Sequence, residues 1–186
     1  MKQAVHFMYY IAIVCPPEVD EKVLHYKNWM KERFGCAVAL KSPSHITLVP
    51  PFWHVESKEE ILIQTLRSFE SSAGELKIEL DGFSHFGKRV LFIRVKENSV
   101  LTEVKRQTEI HFMHSLSDII KPDERDFHPH VTVANRDLIP SAFTKAWEYL
   151  SAKEFSEVFI TKTISLLKLI DGKWKVIGLQ DWSNLN

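Results

Sequence analysis

The chain has 186 residues, 24 Lys and Arg against 24 Asp and Glu, and 45% apolar residues. That length can bury a real core, and the balanced charge with abundant apolar side chains excludes a disordered or fibrous chain. With no basic excess it is not built to coat long nucleic acid, although a local basic patch could grip a short end or a small nucleotide.

Ala4 to Val14 is rich in Val, Ile, Phe and Tyr, and Cys15-Pro16-Pro17 stops it, which predicts a buried strand. Lys2 ahead of this apolar run gives it a superficial likeness to a signal peptide. His6 interrupts the run, however, and no small-x-small cleavage site follows. Glu18 to Phe34 carries Val19, Val23, Met30 and Phe34 at helical spacing, with Gly35 placed to close the helix. Ser42-Pro43 leads into a strand at His45 to Val49, which Pro50-Pro51 is expected to end. Ser57-Lys58-Glu59-Glu60 has the form of a capping box, and the helix after it has an apolar face of Ile61, Leu62, Thr65, Leu66 and Phe69. Leu76, Ile78 and Leu80 then alternate with charged residues in a half-buried strand expected to end at Gly82.

The second half repeats this plan: a strand at Val90 to Val95, a helix from Ser99 to about Leu116, a strand at His130 to Val133, and a helix from Ser141 to Leu150. Phe155 to Ile170 is strand-rich, and Asp171-Gly172 is a hairpin turn into Trp174 to Leu179. Shifted by 85 positions, His45-x-Thr47 falls on His130-x-Thr132, which suggests a pseudo-repeat. The expected fold is one α+β domain over residues 1–186, with two lobes divided near residue 85 and a cleft between them.

The chemistry concentrates in those two triplets. With nine His and eight Thr in the chain, random placement gives about 0.4 His-x-Thr triplets, so it is the pairing in strand-like surroundings that matters. In a strand, residues i and i+2 share a face, so each triplet presents an imidazole beside a hydroxyl. Two such strands facing each other suit acid–base chemistry on a tetrahedral oxyanion such as phosphate.

Ser44-His45-Ile46-Thr47-Leu48 and Pro129-His130-Val131-Thr132-Val133 resemble the paired signatures of the two-histidine (2H) phosphoesterase superfamily, in particular its branch of 2′-5′ RNA ligase and cyclic-phosphodiesterase-like proteins. Phe7 to Ile13 and Gly82-Phe83-Ser84-His85-Phe86 are also similar to that family's plan. The resemblance implies two pseudo-symmetric lobes of antiparallel sheet, flanked by helices, around a central cleft. It implies a metal-free reaction, with no cofactor, at a 2′,3′-cyclic phosphate or a related phosphodiester, on an RNA terminus or a small nucleotide. His45 and His130 would be general base and general acid, and Thr47 and Thr132 would bind the non-bridging oxygens. Arg136, just after the second triplet, could reach a phosphate in bidentate fashion or form a surface ion pair.

Joining a 5′-hydroxyl in the reverse direction, and binding an RNA end or a nucleotide without turnover, are the alternatives. His128-Pro129-His130 could be a metal pair, but no further ligand set is recognisable around it. Phe52, Trp53, Phe86 and Phe127 are candidates for stacking a base or for packing, while Lys162, Lys168, Lys173 and Lys175 are expected to face water. His111 and His114, three apart on a helix, are expected on a solvated face. Cys15 and Cys36 are too few for a disulfide framework, and no run is long enough to span a membrane. A cytoplasmic protein with no implied protein partner is expected.

Overall fold

The computed structural model describes residues 4–183, so Lys2 lies outside the described residues. In chain order the elements are β1 (His6–Val14), α1 (Pro17–Phe34), β2 (His45–Val55), α2 (Glu59–Arg67), β3 (Leu76–Phe86), β4 (Val90–Val95), α3 (Ser99–Ser115), β5 (His130–Ala134), α4 (Pro140–Ser151), β6 (Ser156–Thr161), β7 (Thr163–Ile170) and β8 (Lys173–Asp181). Short 3-10 helices at Val38–Lys41 and Glu56–Lys58 precede β2 and α2. The strands form two four-stranded sheets, ordered β2-β1-β7-β8 and β5-β4-β3-β6, in which every pair is antiparallel. The fold is therefore α+β.

The lobes do not divide at a single point near residue 85. The chain leaves the first sheet after β2, builds the whole second sheet, and returns for β7 and β8. The 85-residue shift still relates β1 to β4 and β2 to β5, and each His-x-Thr strand forms the edge of its sheet. The strand that completes each sheet differs: β7 lies beside β1 where β3 lies beside β4. The two sheets are locked by exchanged helices, since α1 packs on β5 and α3 packs on β2. One apolar cluster runs from Ile11 and Ile46 through Leu62 and Ile78 to Val131 and Phe143.

Pro50 and Pro51 do not end β2. Tyr9 pairs with Phe52 and Ile11 with Val49, so both prolines oppose the single residue Tyr10 in a bulge. β2 is an edge strand and the prolines sit at its bulge, the two places in a sheet where a missing N–H is tolerated. Gly82 likewise marks a bulge within β3, between Leu80 and Phe83, and its φ of 65° is why glycine stands there.

The capping box before α2 does not form: no side chain caps this helix, which is entered instead from the Glu56–Lys58 turn. Glu59 is committed elsewhere, accepting from the Tyr9 hydroxyl at 2.6 Å and pairing with Lys168. Lys168, expected in water, is buried; its ammonium lies 4.0 Å from the centre of the Phe7 ring. Pairing of β1 with β7 sets Lys168 opposite Tyr9, and the carboxylate with the ring faces stands in for water. His111 also turns inward, bonding the Thr65 carbonyl through Nε2 at 2.7 Å and so tying α3 to α2.

Candidate functional site

The edge strands that carry the two triplets alternate cleanly. Ile46, Leu48, Val131 and Val133 enter the core, which leaves His45, Thr47, His130 and Thr132 half-buried on the opposite faces. β2 and β5 touch across the gap between the sheets. Thus the same period-2 pattern that builds each strand also delivers an imidazole and a hydroxyl to the cleft from either side.

Both histidines are tethered in the same way. His45 Nδ1 lies 2.7 Å from the carbonyl oxygen of Pro43, and His130 Nδ1 lies 2.7 Å from that of His128. A carbonyl can only accept, so Nδ1 carries the proton in each ring, and the neutral form keeps a bare Nε2. Aromatic rings fix the tilt. Tyr10 lies 4.9 Å from His45, and Phe86 and Phe92 each lie 5.0 Å from His130, Phe86 edge-on at 87°.

Burial pushes the His45 imidazolium down to about 4; the Pro43 carbonyl and Asp20 oppose this, while Lys27 and His130 add to it. His130 is lowered too, by burial first, with the His128 carbonyl opposing and the His128 ring adding. At neutral pH both rings are therefore held neutral, ready to accept a proton, and an incoming anion favours protonation of one of them.

Two cavities meet at Thr47. The first, about 350 Å³, is lined by Tyr10, Lys41, His45, Thr47, Thr132, Asn135, Arg136 and Trp174, among others. The second, about 360 Å³, is lined by Thr47, Phe86, Lys105, Asp123, Arg125, Phe127 and His130, among others. All five site residues expected from sequence thus line this pair of cavities, and Arg136 stands exposed at the rim of the first. Phe86 and Phe127 line the second cavity, whereas Phe52 is core and Trp53 is 58% exposed outside both.

Charge is distributed unequally between the two. In the second cavity Lys105 pairs with Glu109 at 2.6 Å and Arg125 with Asp123 at 2.7 Å. Among the described residues, those lining the first cavity include the cations Lys41 and Arg136 and no carboxylate. Negative charge is therefore favoured on the His45 side.

Sequence reasoning missed Tyr10, Lys41 and Trp174. Tyr10 sits in a strand whose composition signals only burial, and Lys41 follows from a four-residue 3-10 turn with no strong sequence signature. Trp174 arrives through the pairing of β8 with β7 and of β7 with β1, a long-range event that local pattern does not announce. The predicted Asp171-Gly172 hairpin is what brings it back: both residues have positive φ, as that turn requires.

Among the described residues, no group of three or more His, Cys, Asp and Glu is arranged to hold a metal ion. His130 spends its Nδ1 on the His128 backbone rather than sharing a ligand set with the His128 ring. No helix among the described residues is long and apolar enough to cross a membrane.

A curated relative from Geobacillus sp. (strain WCH70), whose name assigns it provisionally to the phosphoesterases, is 22% identical over 160 residues, covering 84% of this chain and 88% of the relative. Among solved structures, the crystal structure of a phosphoesterase aligns with a TM-score of 0.63 at 17% identity, over 97% of this chain and all of that one. The apo form of Escherichia coli LigT aligns with a TM-score of 0.63 at 14% identity over the same shares. These likenesses carry the fold. The family model of the 2′-5′ RNA ligase superfamily matches residues 15–173, and with that span the chain belongs to this superfamily of two-histidine phosphoesterases.

Proposed function

We propose that the protein is a metal-independent phosphoesterase that opens 2′,3′-cyclic phosphate ends of RNA, or small cyclic nucleotides, with His45 and His130 as the acid–base pair. The observation that carries this reading is the duplicated tether: two imidazoles, each fixed by a backbone carbonyl so that Nε2 is bare, each two residues ahead of a threonine on a cavity wall. One Nε2 takes a proton from water as the oxygen attacks phosphorus. The other, protonated, gives its proton to the ribose oxygen as the P–O bond breaks; the two rings thereby exchange protonation states, and proton exchange with solvent restores them before the next turnover. Thr47 and Thr132 donate to the non-bridging oxygens, where charge accumulates, and Arg136 adds a cation at the rim.

Escherichia coli LigT has been crystallised with 3′-AMP, with ATP and with phosphate, which supports a nucleotide phosphate as ligand here. Zero net charge favours a short terminus over a long tract.

The reverse reaction, joining a 5′-hydroxyl to form a 2′-5′ linkage, is favoured by one observation: space opens on both sides of Thr47, enough for a group on either side of the phosphate. The test is incubation of a short RNA ending in 2′,3′-cyclic phosphate, in EDTA, with and without a 5′-hydroxyl acceptor, beside His45→Ala and His130→Ala. Turnover by the parent that both variants lose is expected. A ligated product at high acceptor would select the reverse reaction; binding without turnover would replace catalysis by recognition of the RNA end.

A further inference from the structure

Two charged side chains of α1 grip the three-residue approach to His45. Asp20 Oδ1 accepts the backbone N–H of Ser44 at 2.8 Å, and Lys27 Nζ donates to the Ser42 carbonyl at 3.1 Å. The Ser44 carbonyl accepts the Cys15 N–H at 2.8 Å. The peptide groups on both sides of Pro43 are therefore fixed, and Pro43 supplies the carbonyl that His45 Nδ1 bonds. Asp20 and Lys27 are two helical turns apart and so share one face of α1.

Lys27 is only 2% exposed. A buried ammonium is costly, and a helix that needed only an apolar surface would be better served there by Leu or Met. The corresponding approach to His130, residues 127–129, lacks such a grip among the described residues: the His128 carbonyl bonds the His130 ring, no charged side chain bonds the backbone there, and His128 is exposed.

Resting on the two-histidine reading above, we propose that Asp20 and Lys27 are positioning residues for the reaction: through Ser44 and Ser42 they fix the Pro43 carbonyl, which holds His45 as the Nδ1–H tautomer with Nε2 free. His45 is thereby oriented from a second layer of charge that never touches substrate.

The two charges also act on the ring with opposite signs. Lys27 opposes the imidazolium and Asp20 favours it, on top of burial, the Pro43 carbonyl and His130. Tyr10 packs on the ring from β1, its phenol raised by burial and therefore neutral. Cys15 faces Lys27 and Asp20, and burial pushes its thiol up to about 12. Burial pushes Lys27 down to about 8, so it remains mostly cationic at pH 7.

The experiment is 15N-histidine NMR of the full chain without substrate, on the parent, Lys27→Met and Asp20→Asn, together with kcat and KM on the cyclic-phosphate RNA. Lys27→Met is expected to raise the His45 pKa, admit the Nε2–H tautomer, and lower kcat on the order of tenfold with KM little changed. Asp20→Asn, which keeps an acceptor for Ser44, is expected to lower the His45 pKa with the tautomer retained. His130 should titrate alike in all three proteins.

A His45 pKa that moves the same way in both variants, or a loss of stability with pKa and tautomer unchanged, overturns the proposal. If Lys27→Met does not fold, Asp20→Ala, which removes the acceptor for Ser44, decides alone: an unchanged His45 tautomer and kcat there overturn the proposal. Absence of turnover in the parent would defeat the proposed reaction while the tautomer measurement still decides the role of the two residues.

Discussion

Asp137 grips Val38 across the two sheets: its Oδ2 accepts the Val38 N–H at 2.8 Å and the adjacent Ala37 N–H at 2.6 Å. The carboxylate follows β5, and the amides open the 3-10 helix that supplies Lys41 to the first cavity. This pair therefore couples the segment bearing Arg136 to the approach of His45.

Asp137→Ala removes two charge-assisted hydrogen bonds and leaves two amides without their acceptor. The expected loss is about 1–3 kcal/mol, measured by urea unfolding. Because Lys41 and Arg136 then lose their common anchor, KM should rise more than kcat falls. Unchanged stability would show that water replaces the carboxylate at no cost.

Removing either imidazole should be far more damaging to rate than to fold. Both rings are half-buried at cavity walls while the core beneath is built by Ile46, Leu48, Val131 and Val133. His45→Ala and His130→Ala are each expected to lower kcat by about 10²–10⁴-fold. The double variant should be little worse than either single, since the two act as a unit. Additive losses would argue against a shared proton transfer.

Thr47→Val and Thr132→Val keep the branched shape that suits a strand and delete only the hydroxyl. Each is expected to cost about 10–10³-fold in kcat, with thermal midpoints close to the parent. The Thr47 change should be the larger, because Thr47 alone of the four triplet residues lines both cavities. An effect confined to KM would make the hydroxyls binding groups only.

Much of this site is local and therefore legible in sequence. His45-x-Thr47 and His130-x-Thr132 need only a strand to share a face, and Asp171-Gly172 needs only its own backbone to turn. The alternation of Leu76, Ile78 and Leu80 also fixes their burial. Pro50-Pro51 and Gly82 misled because a breaker residue signals disruption without saying whether the strand stops or bulges. Sheet position decides that, and β2 is an edge only once β1 has paired on its other side with β7. Lys168 and Glu59, 109 positions apart, and Lys27 under Ser42 are charged residues whose burial depends on partners brought by the fold. No local pattern distinguishes them from solvated charges.

The pH–rate profile follows from the tethered, half-buried rings. Turnover needs one imidazole protonated and the other not, and in the free protein both lie below the usual histidine range. The kcat/KM bell should therefore be centred below about pH 6.5 and fall about tenfold per unit above its alkaline limb. A bound phosphodiester favours the imidazolium, so the kcat bell should sit at higher pH. A kcat/KM maximum well above pH 7 would mean that the free rings are not held neutral.

The same depression makes His45 a source of acid sensitivity. In the unfolded chain its imidazole binds a proton near pH 6.5, whereas in the folded protein it does so only near pH 4. Between those values the unfolded state holds more protons, so stability falls as the pH drops; above 6.5 the contribution is complete, and below about 4 it is gone. His130 acts in the same direction, its folded pKa also being lowered. His45→Gln removes the titrating group, and its urea midpoints from pH 7 to pH 4.5 should decline less steeply than those of the parent. Parallel declines would show that His45 is protonated in the folded protein as readily as in the unfolded chain, which would remove the basis for a ring held neutral in the cleft.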